Sequence, residues 1–183
     1  SEDPLNIIGE YANDQRLHMA YCFEFLSEDF NFSDTNKIVD QFFHNNPNSW
    51  PCWSFSNHDS MRITSRINKS SKEIMKKLLE LKGNICIYQG EELGLHETEV
   101  KFEDLKDPFG KNFWPEFKGR DGCRTPMPWN SKKINLGFSD AKPWLPVNSA
   151  YAAKSAKQQQ NDPDSMLNYT KELIKLRKKG FAA

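Results

Sequence analysis

The sequence predicts an α/β protein built around a parallel sheet, and two observations lead to this prediction. Short apolar segments with the composition of strands occupy residues 17–25, 49–57 and 84–90. Segments with the apolar spacing of helices occupy residues 35–43, 70–82 and 162–179, so strands and helices alternate along the chain. This alternation is typical of parallel sheets, which are either open or closed as a barrel.

The first elements have recognisable starts. Asp3 and Pro4 are typical of a helix N-terminus, where Asp caps free amides and Pro fits the first turn. Residues 17–25 then predict a strand, and residues 35–43 predict a helix from the spacing of four apolar side chains: Ile38, Val39, Phe42 and Phe43.

The middle of the chain predicts a second strand and a helix that begins with a capping box. Pro51 favours the start of a strand, because proline cannot donate to a central ladder. Ser70 and Glu73 have the capping-box spacing, and Gly83 marks the end of the helix. Its apolar stripe contains Ile74, Met75, Leu78 and Leu79.

The last third predicts a strand, an elaborated loop and a helix. Residues 84–90 form a short apolar strand closed by Gly90. Residues 91–160 are rich in Pro, Gly, Asn and Trp, and we interpret them as an elaborated loop with small elements of its own. Asp162 and Pro163 then predict the start of a helix that ends at Gly180 and buries Met166, Tyr169, Leu173 and Leu176.

Composition excludes several classes of partner. Basic and acidic residues number 25 each, so there is no excess charge for nucleic acid or an anionic membrane surface. No apolar run approaches the roughly 20 residues that span a bilayer. The four cysteines are widely spaced, which predicts free thiols, a reducing compartment and a cytoplasmic location.

Polar residues follow the second and third predicted strands. In parallel sheets the chemistry lies at the carboxyl ends of the strands, where Asn57-His58-Asp59 and Glu91-Glu92 fall. A structural role for the first group, with Asp59 capping a turn, is the simplest interpretation of that group alone. No metal-ligand spacing and no nucleophile elbow are present, and adjacent glutamates point to opposite sides, so at most one would face a site.

A second candidate segment covers residues 113–129. Arg120 and Arg124 flank Asp121 among three prolines and two tryptophans. Arginine forks grip hydroxyl or carboxylate groups, and prolines stiffen a loop. For Arg120 and Asp121 we expect a surface ion pair that holds the loop.

Three motifs in this order give a specific resemblance. They are SFSNHDSMRITSR, IYQGEELGL and DPFGKNFWPEFKGRDGCRTPMPW. Their sequence and spacing resemble the α-glucosidase group of the α-amylase family of glycoside hydrolases. The opening DPLNIIGEYANDQRLHMAYCFEFL and the closing DPDSMLNYTKELIKLRKK are also similar to this group, so the resemblance covers nearly the whole chain.

The resemblance implies a (β/α)8 TIM barrel and retaining hydrolysis of α-linked glucose from short oligosaccharides. Two aspartates and one glutamate act in this family. Asp59 matches the aspartate that stabilises the oxocarbenium-like transition state, and His58 matches a contact to the same sugar. Arg124 matches a substrate-binding arginine. Arg62 is a further candidate for substrate binding, although a role in shaping the pocket or holding a neighbouring carboxylate is favoured for it.

The family's nucleophile motif, of the type G-F-R-x-D, is not in the sequence. The general acid is expected just upstream of Ser1, and neither Glu2 nor Glu10 is assigned that role because no apolar strand precedes them. Residues 1–183 are therefore expected to form a partial barrel domain, about strands 6–8 with their helices and the loop 91–160. The N-terminal half-barrel and the trailing β domain would be missing, and the chain alone would be inactive.

Alternatives from the same resemblance are a transglucosylase of the sucrose isomerase or trehalose synthase type, and a non-catalytic hydrolase-like interaction module. Presence of His58, Asp59 and Arg124 together favours an enzyme. No cofactor and no metal site are predicted. The preference between α-1,4 and α-1,6 linkages is set in this family by residues beside the nucleophile, so it is not predicted.

Overall fold

A three-stranded parallel sheet lies at the centre of the computed structural model, which describes residues 3–13 and 15–181. The strands lie side by side in chain order: β1 (Ala20–Cys22), β2 (Pro51–Trp53) and β3 (Asn84–Ile85). Tyr21 lies opposite Cys52, and Trp53 lies opposite Ile85. The predicted α/β class and parallel sheet are confirmed.

The strands are shorter than the apolar segments that predicted them. After β1 the chain enters a 3-10 turn at Glu24–Leu26, in which Phe25 and Leu26 are still buried. The apolar run therefore marks continuous burial, and only its middle part joins the ladder. Pro51 begins β2, as its missing amide hydrogen requires in an inner strand.

Seven α-helices surround the sheet or follow it in the described part of the chain. They are α1 (Pro4–Tyr11), α2 (Thr35–Asn45), α3 (Ile63–Arg66), α4 (Ser71–Glu80), α5 (Pro108–Asn112), α6 (Ala156–Gln160) and α7 (Met166–Leu176). None of the described helices is long and apolar enough to cross a membrane.

Two predicted caps are confirmed. The Asp3 carboxylate accepts from the Leu5 amide at 3.0 Å at the start of α1. At α4 the Ser70 hydroxyl accepts from the Glu73 amide at 3.2 Å, and the Glu73 carboxylate accepts from the Ser70 amide at 3.0 Å. Both caps satisfy amides that the first helical turn leaves without partners.

The predicted start of the last helix is wrong by one turn. Ser165 caps α7, whereas Asp162 accepts from the Asp164 amide at 3.0 Å and closes a separate turn. Leu173 is buried as predicted, but Leu176 is 44% exposed. The end of α7 is instead held by Arg177, which donates to carbonyl groups at the end of α4 and beyond it, including that of Leu81 at 2.8 Å.

The main core lies between the sheet and helices α1, α2 and α4. Trp53 is fully buried among Phe25, Phe42 and Phe55. Each buried aromatic ring removes roughly 150–250 Å² from water, so this cluster stabilises the packing of the helices on the sheet. The Trp53 indole also donates to the Lys82 carbonyl at 2.6 Å, so its polar edge is satisfied.

Residues 91–160 form an ordered excursion with small elements of its own. It contains α5, several 3-10 turns and its own apolar cluster of Leu93, Leu95, Met127 and Tyr151. Inside it the Thr98 hydroxyl donates to the Tyr151 hydroxyl at 2.9 Å and lies 3.1 Å from the Thr125 hydroxyl. These contacts join three parts of the loop to one another.

One side of the sheet carries exposed apolar side chains. Large apolar groups near β1 remain open to solvent: Ile7, Tyr11, Leu17, Met19 and Phe23. β1 and β3 are the two edge strands of the described sheet. Open edges and an apolar surface of this kind are features that a closed barrel would cover.

Candidate active site

The segment after β2 presents Asp59 through a turn closed by Asn57. The Asn57 side-chain oxygen accepts from the amides of Asp59 at 2.8 Å and Ser60 at 2.9 Å. Asn57 is buried, whereas Asp59 is half exposed. This local turn carries the chain out of the core and leaves the carboxylate at the sheet's carboxyl end.

Three charged or polar side chains converge on Asp59. Its Oδ1 accepts from Arg120 Nη1 at 3.0 Å and from Arg124 Nη2 at 2.8 Å. Its Oδ2 lies 3.3 Å from His58 Nε2. Arg124 also donates through Nε to the His58 carbonyl at 2.6 Å. The structure thus brings together His58, Asp59 and Arg124. These are the three residues that match the family's motifs for sugar binding and transition-state stabilisation.

The cluster opens onto a cleft of about 430 Å³. Its lining includes Asp59, Met61, Glu97 and residues 115–120. The Asp59 side chain is 48% exposed, so it is reachable by a solute in the cleft. The neighbouring His58 side chain is 69% exposed.

Arg120 is the site residue that the sequence reasoning missed. Its expected pairing with Asp121 is wrong: Nε and Nη2 of Arg120 donate to the two carboxylate oxygens of Asp107, each at 2.9 Å. These bonds hold the pKa of Asp107 well below its usual range and raise that of Arg120. Asp121 is buried and accepts from the amides of Lys106 at 2.6 Å and Asp107 at 2.8 Å.

A short turn separates the two arginines that reach the same carboxylate. Residues Asp121–Arg124 form a 3-10 turn with Arg120 at its start. The two arginines therefore lie at opposite ends of one turn, and both guanidinium groups donate to Asp59 Oδ1. The four-residue spacing of the arginines was the available signal, but only the fold shows that its partner is Asp59.

The base of this loop is closed by two glycines. Gly119 has φ +81°, and a Cβ there would lie 2.8 Å from the Gly110 Cα. A side chain at this point would collide with the start of the loop. The contact therefore joins residues 110 and 119 and leaves residues 111–118 as a separate excursion over the cleft.

Arg62 lies inside the molecule and not in the cleft. It is 2% exposed, donates to the Gln89 carbonyl at 2.8 Å and the Cys123 carbonyl at 3.0 Å, and stacks over the Tyr88 ring. Its backbone amide donates to Glu97 at 2.9 Å. This position favours shaping of the site over direct contact with a sugar.

Glu91 and Glu92 lie outside the cleft lining. Glu91 is buried, accepts from the Tyr88 amide at 2.8 Å, and its burial raises its pKa to about 7. Glu92 accepts from the Gly90 amide at 2.7 Å, and burial also raises its pKa. Both carboxylates organise the turn after β3.

Other candidates give no second site. Glu10 is exposed on α1, and Glu2 lies outside the described residues. Within residues 3–13 and 15–181, no group of three or more His, Cys, Asp or Glu side chains could hold a metal ion. The four cysteines are free thiols: Cys22, Cys52, Cys86 and Cys123.

Comparison with known proteins identifies the family. Residues 6–182 match the sequence model of the alpha-amylase catalytic domain. The chain therefore belongs to the alpha-amylase family, as the resemblance implied. The match extends over both segments that meet at Asp59.

Individual relatives agree with this family. The chain is 42% identical over 187 residues to a probable alpha-glucosidase of Rhizobium meliloti (strain 1021), covering 97% of this chain and 34% of the relative. It is 40% identical over 154 residues to probable oligo-1,6-glucosidase 2 of Bacillus subtilis (strain 168), covering 70% and 27%. The chain thus spans about a third of the length of the relatives it matches.

A solved structure has the same fold. The crystal structure of XgtA, described as an alpha-glucosyl transfer enzyme, superposes with a TM-score of 0.90 and 43% sequence identity. The aligned region covers 98% of this chain and 34% of that chain.

Proposed function

We propose that this chain is part of the catalytic barrel of a retaining glycoside hydrolase that removes terminal α-linked glucose from short oligosaccharides. One observation carries the proposal: the Asp59 carboxylate is oriented by two guanidinium groups beside His58 and opens onto a cleft. The relatives named alpha-glucosidase and oligo-1,6-glucosidase support this substrate class.

Asp59 supplies negative charge where positive charge develops. When the glycosidic bond breaks, the sugar ring becomes oxocarbenium-like, and a fixed carboxylate stabilises that state more than the neutral substrate. Both guanidinium contacts are made by Oδ1 of Asp59, which leaves Oδ2, 3.3 Å from His58 Nε2, to accept from sugar hydroxyl groups. His58 and Arg124 bind hydroxyls of the same ring.

The nucleophile and the general acid come from outside this chain in the proposal. Retaining enzymes place these two carboxyl groups about 5–5.5 Å apart on either side of the bond. Residues 1–183 contribute about strands 6–8 of the barrel, with residues 91–160 as the loop after the last strand. The N-terminal half-barrel completes the cleft, a trailing β domain follows, and the isolated chain is inactive.

Arg62 has a supporting role in this mechanism. Its guanidinium joins the carbonyl groups of Gln89 and Cys123, which lie after β3 and next to Arg124. The group therefore fastens the loop that carries the arginines to the end of the sheet. The free cysteines are consistent with a proposed cytoplasmic location.

A transglucosylase is the second candidate, and the similarity to XgtA favours it specifically. Hydrolysis and transfer share the glycosyl-enzyme step and differ in whether water or a sugar hydroxyl attacks it. The cleft residues described above serve both reactions.

Asp59→Asn in the full-length enzyme tests the role of the carboxylate. The variant removes the charge and keeps the shape, so we expect kcat on maltose and isomaltose to fall by at least about 10²–10³-fold. Asp140→Asn, on an exposed part of the loop, is the matched control and should retain activity.

Near-normal turnover by the Asp59→Asn enzyme would contradict the assigned role. The ratio of glucose released to longer oligosaccharide formed, measured with the unmodified enzyme, separates hydrolase from transglucosylase. An enzyme inactive on every α-glucoside would contradict both.

A further inference from the structure

The Arg120 guanidinium is fixed independently of Asp59. Two of its nitrogens donate to the two oxygens of Asp107 at 2.9 Å, the fork geometry that gives the strongest arginine–carboxylate pairs. The Asp107 side chain has no exposed surface. It also accepts from the amides of Arg120 at 2.8 Å and Phe109 at 3.2 Å. The anchor is thus held from several directions.

The remaining nitrogen of Arg120 points to the site. Nη1 donates to Asp59 Oδ1 at 3.0 Å, and the guanidinium lies 5.4 Å from the centre of the Phe109 ring. Because Nε and Nη2 are both bonded to Asp107, the direction of Nη1 is set before any sugar arrives. Asp59 therefore meets a positive charge whose position does not depend on the substrate.

Arg124 is held differently. It donates to the His58 carbonyl at 2.6 Å and to Asp59 at 2.8 Å, both on the segment that it faces across the site. No carboxylate apart from Asp59 lies within salt-bridge distance of it in the part of the chain that the structure describes. Arg124 can exchange Asp59 for a sugar hydroxyl without breaking a buried ion pair, whereas Arg120 cannot turn away without leaving Asp107 unpaired.

We propose that Arg120, anchored by Asp107, is a positioning residue that holds Oδ1 of Asp59 and directs Oδ2 at the sugar. The inference rests on the proposed function and adds residues to it. Arg120 and Asp107 act through Asp59 and do not touch the reacting atoms. The half-exposed contact with Asp59 contributes little to stability, as is usual for exposed ion pairs, so its effect is on orientation.

Two variants of the full-length enzyme separate this role from substrate binding. Arg120→Lys keeps the charge but loses the fork, so one ammonium cannot serve both carboxylates in this geometry. Asp107→Asn weakens the anchor at a residue that is too buried to touch a sugar. With p-nitrophenyl α-glucoside we expect Arg120→Lys to lower kcat by about 10²-fold, the cost of a misplacement of about 1 Å.

The Michaelis constant should change by less than about threefold, because kcat reports the transition state in which Asp59 acts. Asp107→Asn should lower kcat in the same direction by a smaller factor. In an Asp59→Asn background neither change should reduce kcat further, since the residue through which both act has lost its charge. Lys76→Gln on the exposed face of α4 is the control, and thermal melting reports the folding of each variant.

Three results decide the matter. If Arg120→Lys retains kcat within about twofold while Asp59→Asn is inactive, the inference is overturned and the proposed function stands. The inference would also be overturned if Arg120→Lys or Asp107→Asn lowered kcat by the same factor in the Asp59→Asn enzyme as in the unmodified enzyme. If the unmodified enzyme does not cleave the glucoside, the proposed function fails. Should Arg120→Lys not fold, the kcat of Asp107→Asn decides in the same way.

Discussion

At the scale of single residues, the sequence predicted which side chains lie together better than how they are held. His58, Asp59 and Arg124 were selected by motif, and they meet in the structure. Arg120 was assigned to a surface pair because its neighbour Asp121 is closer in sequence than Asp107. Proximity along the chain cannot reveal a partner that the fold brings in from thirteen residues away.

Residue types alone also did not predict which of the charged side chains are buried. Glu91 and Glu92 look equivalent in sequence, yet Glu91 is the more deeply buried of the two, and burial raises its pKa to about 7. For Arg62 the sequence left substrate binding and shaping of the pocket both open, and its contacts are interior carbonyl groups. Neither position is visible without the packing of the loop on the sheet.

The raised pKa of Glu91 predicts a pH dependence of stability. Burial raises the pKa from 4.5 to about 7, so the folded state binds a proton more tightly than the unfolded state. The stabilisation is complete below about pH 4.5 and is lost as the pH rises through 7. We expect the unfolding free energy of the full-length enzyme, relative to Glu91→Gln, to fall by about 3 kcal/mol between pH 4.5 and 8.

Urea unfolding of both proteins across this pH range provides the measurement. Glu103→Gln, at an exposed carboxylate, is the matched control and should follow the unmodified enzyme. Parallel curves for the unmodified and Glu91→Gln enzymes would contradict the prediction.

At the scale of elements, helices were predicted more accurately than strands. A helix carries its own signals, since caps and apolar spacing lie within a few residues, and α1 and α4 begin where those signals lie. Strand ends depend on the neighbouring strands, so residues 84–90 gave a ladder of only two residues. α7 begins later in the chain than predicted, because Ser165 caps the helix whereas Asp162 closes a separate turn before it.

The capping box of α4 predicts a measurable loss of stability. Ser70→Ala removes the hydroxyl that accepts from the Glu73 amide and should lower the unfolding free energy by about 1 kcal/mol. Ser70→Thr keeps the hydroxyl and should be close to the unmodified protein. Denaturant unfolding of the full-length enzyme checks both, and equal effects of Ala and Thr would rule out the cap as the cause.

At the scale of the whole molecule, the apolar surface beside β1 is the feature that composition could not predict. Its exposed members include Leu17, Met19 and Phe23. The parallel sheet was predicted from the alternation of elements, but its curvature and closure depend on strands beyond those described. The proposed half-barrel therefore follows from the family resemblance, with the open sheet edges as its physical support.

This surface predicts that the chain needs the rest of the barrel. Expressed alone, the 183-residue chain should associate or precipitate, and co-expression with the N-terminal half-barrel should give a complex with glucosidase activity. Phe23→Glu should weaken the complex, because it places a charge on the covered face. Phe138→Glu, at a similarly exposed ring in the loop, should not.

Size-exclusion chromatography and activity of the co-expressed halves give the readout. A monomer with one sharp cooperative melting transition, obtained from the chain alone, would contradict the half-barrel proposal.

The glycine contact between residues 110 and 119 has a consequence for how such enzymes diversify. The contact closes the base of residues 111–118. This segment can therefore be exchanged while Arg120 and its contact with Asp59 stay in place. Under the proposed function, sugar preference can therefore change through residues 111–118 while Asp59 and Arg120 stay as they are.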